Sequence, residues 1–143
     1  MTYCLGILLP EGLVLASDSR SNAGVDQVAL VKKLALFEVL GQRVVAVLSA
    51  GNLATTQSVV TALRETAGSG RLGQDLQAAR TMHDVAMMVG AKLREVIARD
   101  GGFVQPFGDP NGTFLVGGQI AGEPPRLFHI YSAGNFVEAS DRS

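Results

Sequence analysis

A single cysteine, Cys4, stands in 143 residues. No internal disulfide can form, and a lone cysteine in a strand-like run reads as a small buried hydrophobe rather than a redox or metal centre. The two histidines, His83 and His129, are far apart and lack a ligand spacing, so a satisfied strand or surface role fits them better than metal binding. GSGRLG lacks the preceding strand, the following helix and the lysine of a phosphate loop. No metal or organic cofactor is expected. Lysine and arginine never gather into a block, and the formal net charge is −1. The basic footprint that nucleic acid demands is therefore missing. The apolar stretch CLGILL is broken by Pro10 and Glu11 and has no basic region ahead of it, which is neither a membrane span nor a secretory signal. These absences point to a cytoplasmic protein with no nucleic-acid or membrane partner.

What is present is apolar matter in short runs. Hydrophobic residues make up 47% of the chain and charged residues 17%, a balance that folds, and the length suits one domain over 1–143. Residues 2 to 8 and 13 to 17 are apolar runs separated by Pro10-Glu11-Gly12, which predicts a hairpin. Lys33 to Leu40 and Arg43 to Ser49 form a second pair around Gly41-Gln42, and the unbroken VVAVL marks its second strand as buried on both faces. Asn52 then stands where it can cap a helix over Leu53 to Ala67. After a glycine-rich loop, Thr81 with Asp84 resembles a capping box. The helix it opens carries a stripe of Val85, Met88 or Val89, Leu93 and Ile97, with Asp100-Gly101-Gly102 as its stop. Beyond PFGDPNG the strand pattern returns in TFLVGGQIAG and PRLFHIYSAGNFVEA, the latter turning at Ala133-Gly134-Asn135.

Strands, two helices, then strands predict an α+β fold with mostly antiparallel sheet. About seven strands against two helices leave sheet surface that something else must cover, either further chain or another subunit.

Four stretches in order resemble one family: Thr2 at the start of the first strand, LVLASDSR ending the second, VKKL opening the third, and LSAGNLATT joining strand to helix. This is the pattern of the proteasome β-type N-terminal nucleophile hydrolases, and TYCLGILLPEGLVLASDSRSNAGVDQ looks most like their bacterial Anbu branch. The resemblance implies a four-layer αββα sandwich, of which this chain would hold both sheets and one helical layer. It covers about the first three-fifths of the family domain, so the chain is expected to be incomplete at its C-terminal side. The family's later supporting residues, a serine and an aspartate, fall beyond it.

The chemistry the resemblance implies is that of a threonine peptidase. A threonine hydroxyl is a poor nucleophile until a base takes its proton, and a free α-amine of pKa about 8 can do so. Thr2 would be that nucleophile once Met1 is removed, and Thr is small enough for methionine aminopeptidase to act. By the same resemblance Lys33, rather than its neighbour Lys32, is the lysine beside the threonine hydroxyl, Asp18 pairs with it, and the Gly51 N–H forms the oxyanion hole. Ser49 matches the position lining the pocket for the residue before the scissile bond, and Ser21 and Ala23 match the loop that pairs with extended substrate. Arg20 would support that loop by an ion pair. The expected partners are a peptide or unfolded-protein substrate and further copies of the chain, in a ring or helical homo-oligomer that confines the active threonines. The alternatives are a proteasome-like subunit that assembles without cleaving, and an amidohydrolase of the same fold acting on small amides.

Overall fold

The computed structural model describes residues 3–22, 28–30 and 32–140, with the backbone alone at 20–22 and 28–30. Among them are nine strands and two helices.

Two strands, β1 (Cys4–Leu9) and β2 (Gly12–Ser17), form the first hairpin, closed by Pro10-Glu11 with Leu9 opposite Gly12 and Cys4 opposite Ser17. A short pair, β3 (Arg20–Asn22) and β4 (Val28–Leu30), follows where the sequence suggested a loop. The main sheet is antiparallel, in the order β5 (Leu34–Val39), β6 (Arg43–Gly51), β7 (Gly112–Ile120), β8 (Arg126–Ile130), β9 (Phe136–Glu138). Because β6 lies between two neighbours and is covered on both faces, Val45 to Ser49 are all buried. That position explains the run from Val45 onward, while Val44, which opens VVAVL, is 39% exposed.

Helices α1 (Leu53–Thr66) and α2 (Met82–Val104) pack on one face of this sheet. Phe37, Val45, Val47, Phe114, Val116, Phe128 and Ile130 meet Val59, Leu63, Val85, Val89, Leu93 and Val96 there, forming the core. The β1–β2 hairpin packs on the opposite face. The approach is close: a Cβ at Gly117 would lie 2.6 Å from Leu13 Cδ2, so a larger residue there would make the leucine side chains between the sheets shift. The result is a helical layer, a sheet and a second sheet. The outer face of the hairpin stays open, with Leu5, Ile7, Leu9 and Val14 each about two-fifths to one-half exposed.

Both helix starts follow from their caps. The Asn52 side chain accepts from the Thr55 N–H at 3.0 Å, and Thr81 accepts from Asp84 N–H at 3.0 Å. The end of α2 differs from expectation, since the helix runs through Asp100-Gly101-Gly102 to Val104. Glycine inside a helix costs about 1 kcal/mol relative to alanine, but Gly101 is buried, and Gln105 N–H still reaches its carbonyl at 3.0 Å. Packing outweighs propensity. Termination comes instead at Pro106, which has no N–H to continue the ladder.

The loop between the helices is organised around Asp75, which is 2% exposed. Its carboxylate accepts from the N–H groups of Gly68, Gly70 and Gln77, each at 2.9 Å. Burial works against its charge, but those three bonds and the nearby Arg43 outweigh it and hold the carboxyl below its usual range. Arg43 also donates to the carbonyls of Leu76 and Ala79, at 3.0 and 2.6 Å. His83 stacks edge-on against Phe136 at 5.2 Å, a packing role. Among the described residues, no helix is long and apolar enough to cross a membrane.

Candidate active site

Four chain segments converge at one end of the two sheets. Hairpin register is the first cause: with Cys4 opposite Ser17, the next pair is Tyr3 and Asp18, and Asp18 N–H donates to the Tyr3 carbonyl at 3.0 Å. The second cause is the β5–β6 register, which sets Lys33 opposite Ser49 with the Ser49 N–H bonded to the Lys33 carbonyl at 3.0 Å. Sheet packing then brings the two ends together. Lys33 Nζ donates to Asp18 Oδ1 at 2.8 Å.

The environment of this pair is asymmetric. Lys33 is 5% exposed, while the Asp18 side chain keeps 36% of its surface. The hydrogen bond from Lys33 holds the Asp18 carboxyl below its ordinary value, with the Tyr3 backbone adding to the effect against a smaller burial penalty. Lys32 next door is exposed. The two lysines thus differ in kind: one is a buried, directed ammonium and the other a cation at the cleft rim.

Cys4 joins the cluster through a bond from its thiol to the Ser49 carbonyl at 3.4 Å. Burial pushes its pKa up, Asp18 pushes it further and Lys33 opposes them. A thiol whose pKa is raised in this way is a weaker nucleophile than a free one.

Beside the pair opens a cleft of about 250 Å³, bounded by Lys32, Lys33, Ala35, Ser49, Thr56 and Gln57 among others. Ser49 is 7% exposed and lies at its strand-side wall. At the end of β6, Gly51 has φ +104°, in a region closed to other residues without strain. A Cβ there would also meet the Asn111 carbonyl oxygen at 2.7 Å.

The structure therefore brings together Asp18, Lys33 and Ser49, and Gly51 follows two residues after Ser49 at the end of β6. Ser21 sits in β3 opposite Ala29 by backbone pairing. Thr2 and Ala23, and the side chains of Ser21 and Arg20, lie outside the described residues. Sequence reasoning missed the cleft walls at Thr56 and Gln57, which it read only as helix, and the loop 109–112 that abuts Gly51, which it read only as a connection. No local signal distinguishes either.

No protein-family model matches the chain, and none of the curated proteins does. Solved structures do match. The chain is 46% identical to an Anbu (Gly-1) mutant from Hyphomicrobium sp. strain MC1, with TM-score 0.87 over 99% of this chain. It is 44% identical to Anbu (ancestral beta-subunit) from Yersinia bercovieri, with TM-score 0.89 over 99% of this chain. A third match, at 44% identity, TM-score 0.88 and 98% of this chain, is described as the helical assembly of the Anbu complex from Pseudomonas aeruginosa. In all three the chain spans 57% of the other chain's length.

Proposed function

The chain belongs to the Anbu family of proteasome-like proteins, spanning 57% of the matched family chains, and from that premise we propose that it carries the nucleophile-bearing part of a threonine peptidase. The observation that carries this reading is the Lys33–Asp18 pair. A lysine 5% exposed donates at 2.8 Å to a carboxylate whose own N–H is tied to Tyr3, and the residue before Tyr3 is Thr2. An aimed ammonium stabilises a developing alkoxide and lowers the proton affinity of an adjacent amine, which are the two demands of a threonine nucleophile.

The steps then balance as follows. With Met1 gone, the Thr2 α-amine takes the proton from Oγ, and Oγ attacks the peptide carbonyl. The tetrahedral oxyanion is met by the Gly51 N–H. Strand alternation supports that role: Ser49 N–H faces β5 and Asn52 N–H faces the loop before β7, so the intervening Gly51 N–H faces the β5 side, beyond the point where β5 begins. The C–N bond breaks, the amine proton leaves with the new N-terminus, and water hydrolyses the Thr2 ester to return the hydroxyl. The side chain preceding the scissile bond would enter the cleft beside Ser49, while Ser21 and Ala23 pair with the extended substrate. The helical assembly of the relative from Pseudomonas aeruginosa supports self-assembly here too, which would confine the threonines away from cytosolic proteins.

Intact mass and labelling test the reading. The expected outcome is a mature N-terminus at Thr2, one adduct per chain with a peptide epoxyketone, and loss of that adduct in Thr2→Ala. A protein that keeps Met1, or an adduct that survives Thr2→Ala, would overturn the peptidase and leave an assembling, non-cleaving subunit. Fluorogenic peptides set against small acyl-amides separate the peptidase from an amidohydrolase.

A further inference from the structure

The end of the loop joining α2 to β7 is tied to the start of α1 by hydrogen bonds. The carbonyls of the last three loop residues and of Gly112, which opens β7, each accept a hydrogen bond from outside the loop. Asp109 O takes the Asn52 side-chain N–H at 3.0 Å, Pro110 O takes the Thr55 hydroxyl at 2.7 Å, Asn111 O takes the Asn52 backbone N–H at 2.9 Å, and Gly112 O takes the Ser132 hydroxyl at 2.8 Å. The first three donors come from Asn52 and Thr55, at the start of α1. Inside the loop, Asn111 N–H bonds to Asp109 Oδ1 at 3.0 Å.

This strap lies directly against Gly51. The Asn111 carbonyl oxygen and Gly112 Cα occupy the space a Gly51 side chain would need, at 2.7 and 2.9 Å. As a glycine, Gly51 has a backbone little constrained by its own chemistry, since glycine reaches φ +104° and many other conformations with little cost. Something outside the residue must choose one. The Asn111 carbonyl bonded to the next amide in the chain, that of Asn52, performs this selection, and Thr55 locks the peptide unit before Asn111. Thr55 is 5% exposed, so little solvent is at hand to replace that bond.

We propose that Thr55, acting with Asn52, is a positioning residue that fixes the Gly51 N–H by clamping the carbonyls of residues 109–111. This rests on the assignment of Gly51 to the oxyanion hole. Thr55 touches no reacting atom. Its effect passes through the strap, and the energetic logic is preorganisation: a donor held in place before charge develops stabilises the transition state without having to be ordered during the reaction. Ground-state binding of a peptide does not use that donor fully, so the loss falls on turnover rather than on binding.

The experiment compares Thr55→Val, which keeps the shape and removes the hydroxyl, with Thr55→Ser, which restores it. In the assembled protein, Thr55→Val should lower kcat about tenfold, part of the roughly 100-fold or larger loss seen when an oxyanion donor is removed, with KM changed less than about twofold. Thr55→Ser should recover most of the rate. Deuterium exchange supplies a readout that needs no substrate: the peptide covering residues 49–56 should exchange several-fold faster in Thr55→Val, and at the wild-type rate in Thr55→Ser. Unchanged exchange over 49–56 in Thr55→Val overturns the clamp, and so does a parallel change in kcat and KM, or failure of serine to rescue. If the wild-type protein neither cleaves nor is labelled at Thr2, the peptidase reading falls while exchange still decides the clamp.

Discussion

At the residue scale, the informative contrast is between Lys32 and Lys33. They are adjacent in sequence and alike in chemistry, yet one is exposed and the other is buried against Asp18. A lysine is rarely buried unless paired, so the packing of Lys33 commits the protein to keeping a counter-charge beside it. Gly51 shows the same commitment in the backbone. Replacing it with alanine forces a side chain into a positive-φ conformation and against a backbone oxygen. Gly51→Ala should therefore destabilise the fold by about 1–3 kcal/mol. It should also cost about 100-fold or more in kcat, because the amide cannot stay in place. Denaturant unfolding and steady-state kinetics on the same sample check both. A variant of unchanged stability and rate would show that the amide is not held there. Lys33 and Gly51 were legible in the sequence only through the family pattern, since neither a strand-start lysine nor a junction glycine is rare. Cys4 was read as a buried small residue and is only half-buried, and its bond to the Ser49 carbonyl was not legible, because that bond crosses 45 positions.

At the element scale, local rules served well where the cause was local. The caps at Asn52 and Thr81, the hairpin turns and the helical stripe all arise from residues within a turn or two of one another. They failed at Gly101, which is buried within α2 although the local sequence would end the helix there. They also passed over the α1–α2 connection, which glycine content alone describes as loose. There a single carboxylate gathers three N–H groups. Asp75→Asn leaves one acceptor oxygen for three donors and removes the charge, and should lower stability by about 1–3 kcal/mol. The pH dependence has a definite sign. The folded carboxyl lies below its unfolded value of about 3.9, so its contribution is complete above about pH 4 and fades as pH falls through the lower folded value. Melting curves of wild type and Asp75→Asn should therefore converge toward acid pH. A constant gap down to about pH 2 would show that the loss is steric and not carried by the charge.

At the scale of the whole molecule, the five-stranded sheet is covered by helices on one side and by the β1–β2 hairpin on the other, while the hairpin's own outer face is not covered. Leu5, Ile7, Leu9 and Val14 alternate along it, as the inward face of a further layer would. The chain of 143 residues should therefore bind a hydrophobic dye such as ANS while fully folded, and Ile7→Lys with Leu9→Lys should reduce that fluorescence several-fold without shifting the unfolding midpoint by more than a degree or two. Dye binding that survives the double change would place the accessible apolar surface elsewhere. The order of the other strands and the two helices, the start of each helix and the family resemblance were determined by the sequence alone, because turn chemistry, hydrophobic period and a few ordered motifs are written in neighbouring residues, whereas the β3–β4 pair was not. Only the tertiary structure decided which lysine is buried, where α2 ends and what holds Gly51, since each depends on surfaces brought together from distant parts of the chain. Lys33 and Asp18 are 15 positions apart, Thr55 and Pro110 are 55. Sheet register, which places every such pair, is set jointly by strands that no local window contains together.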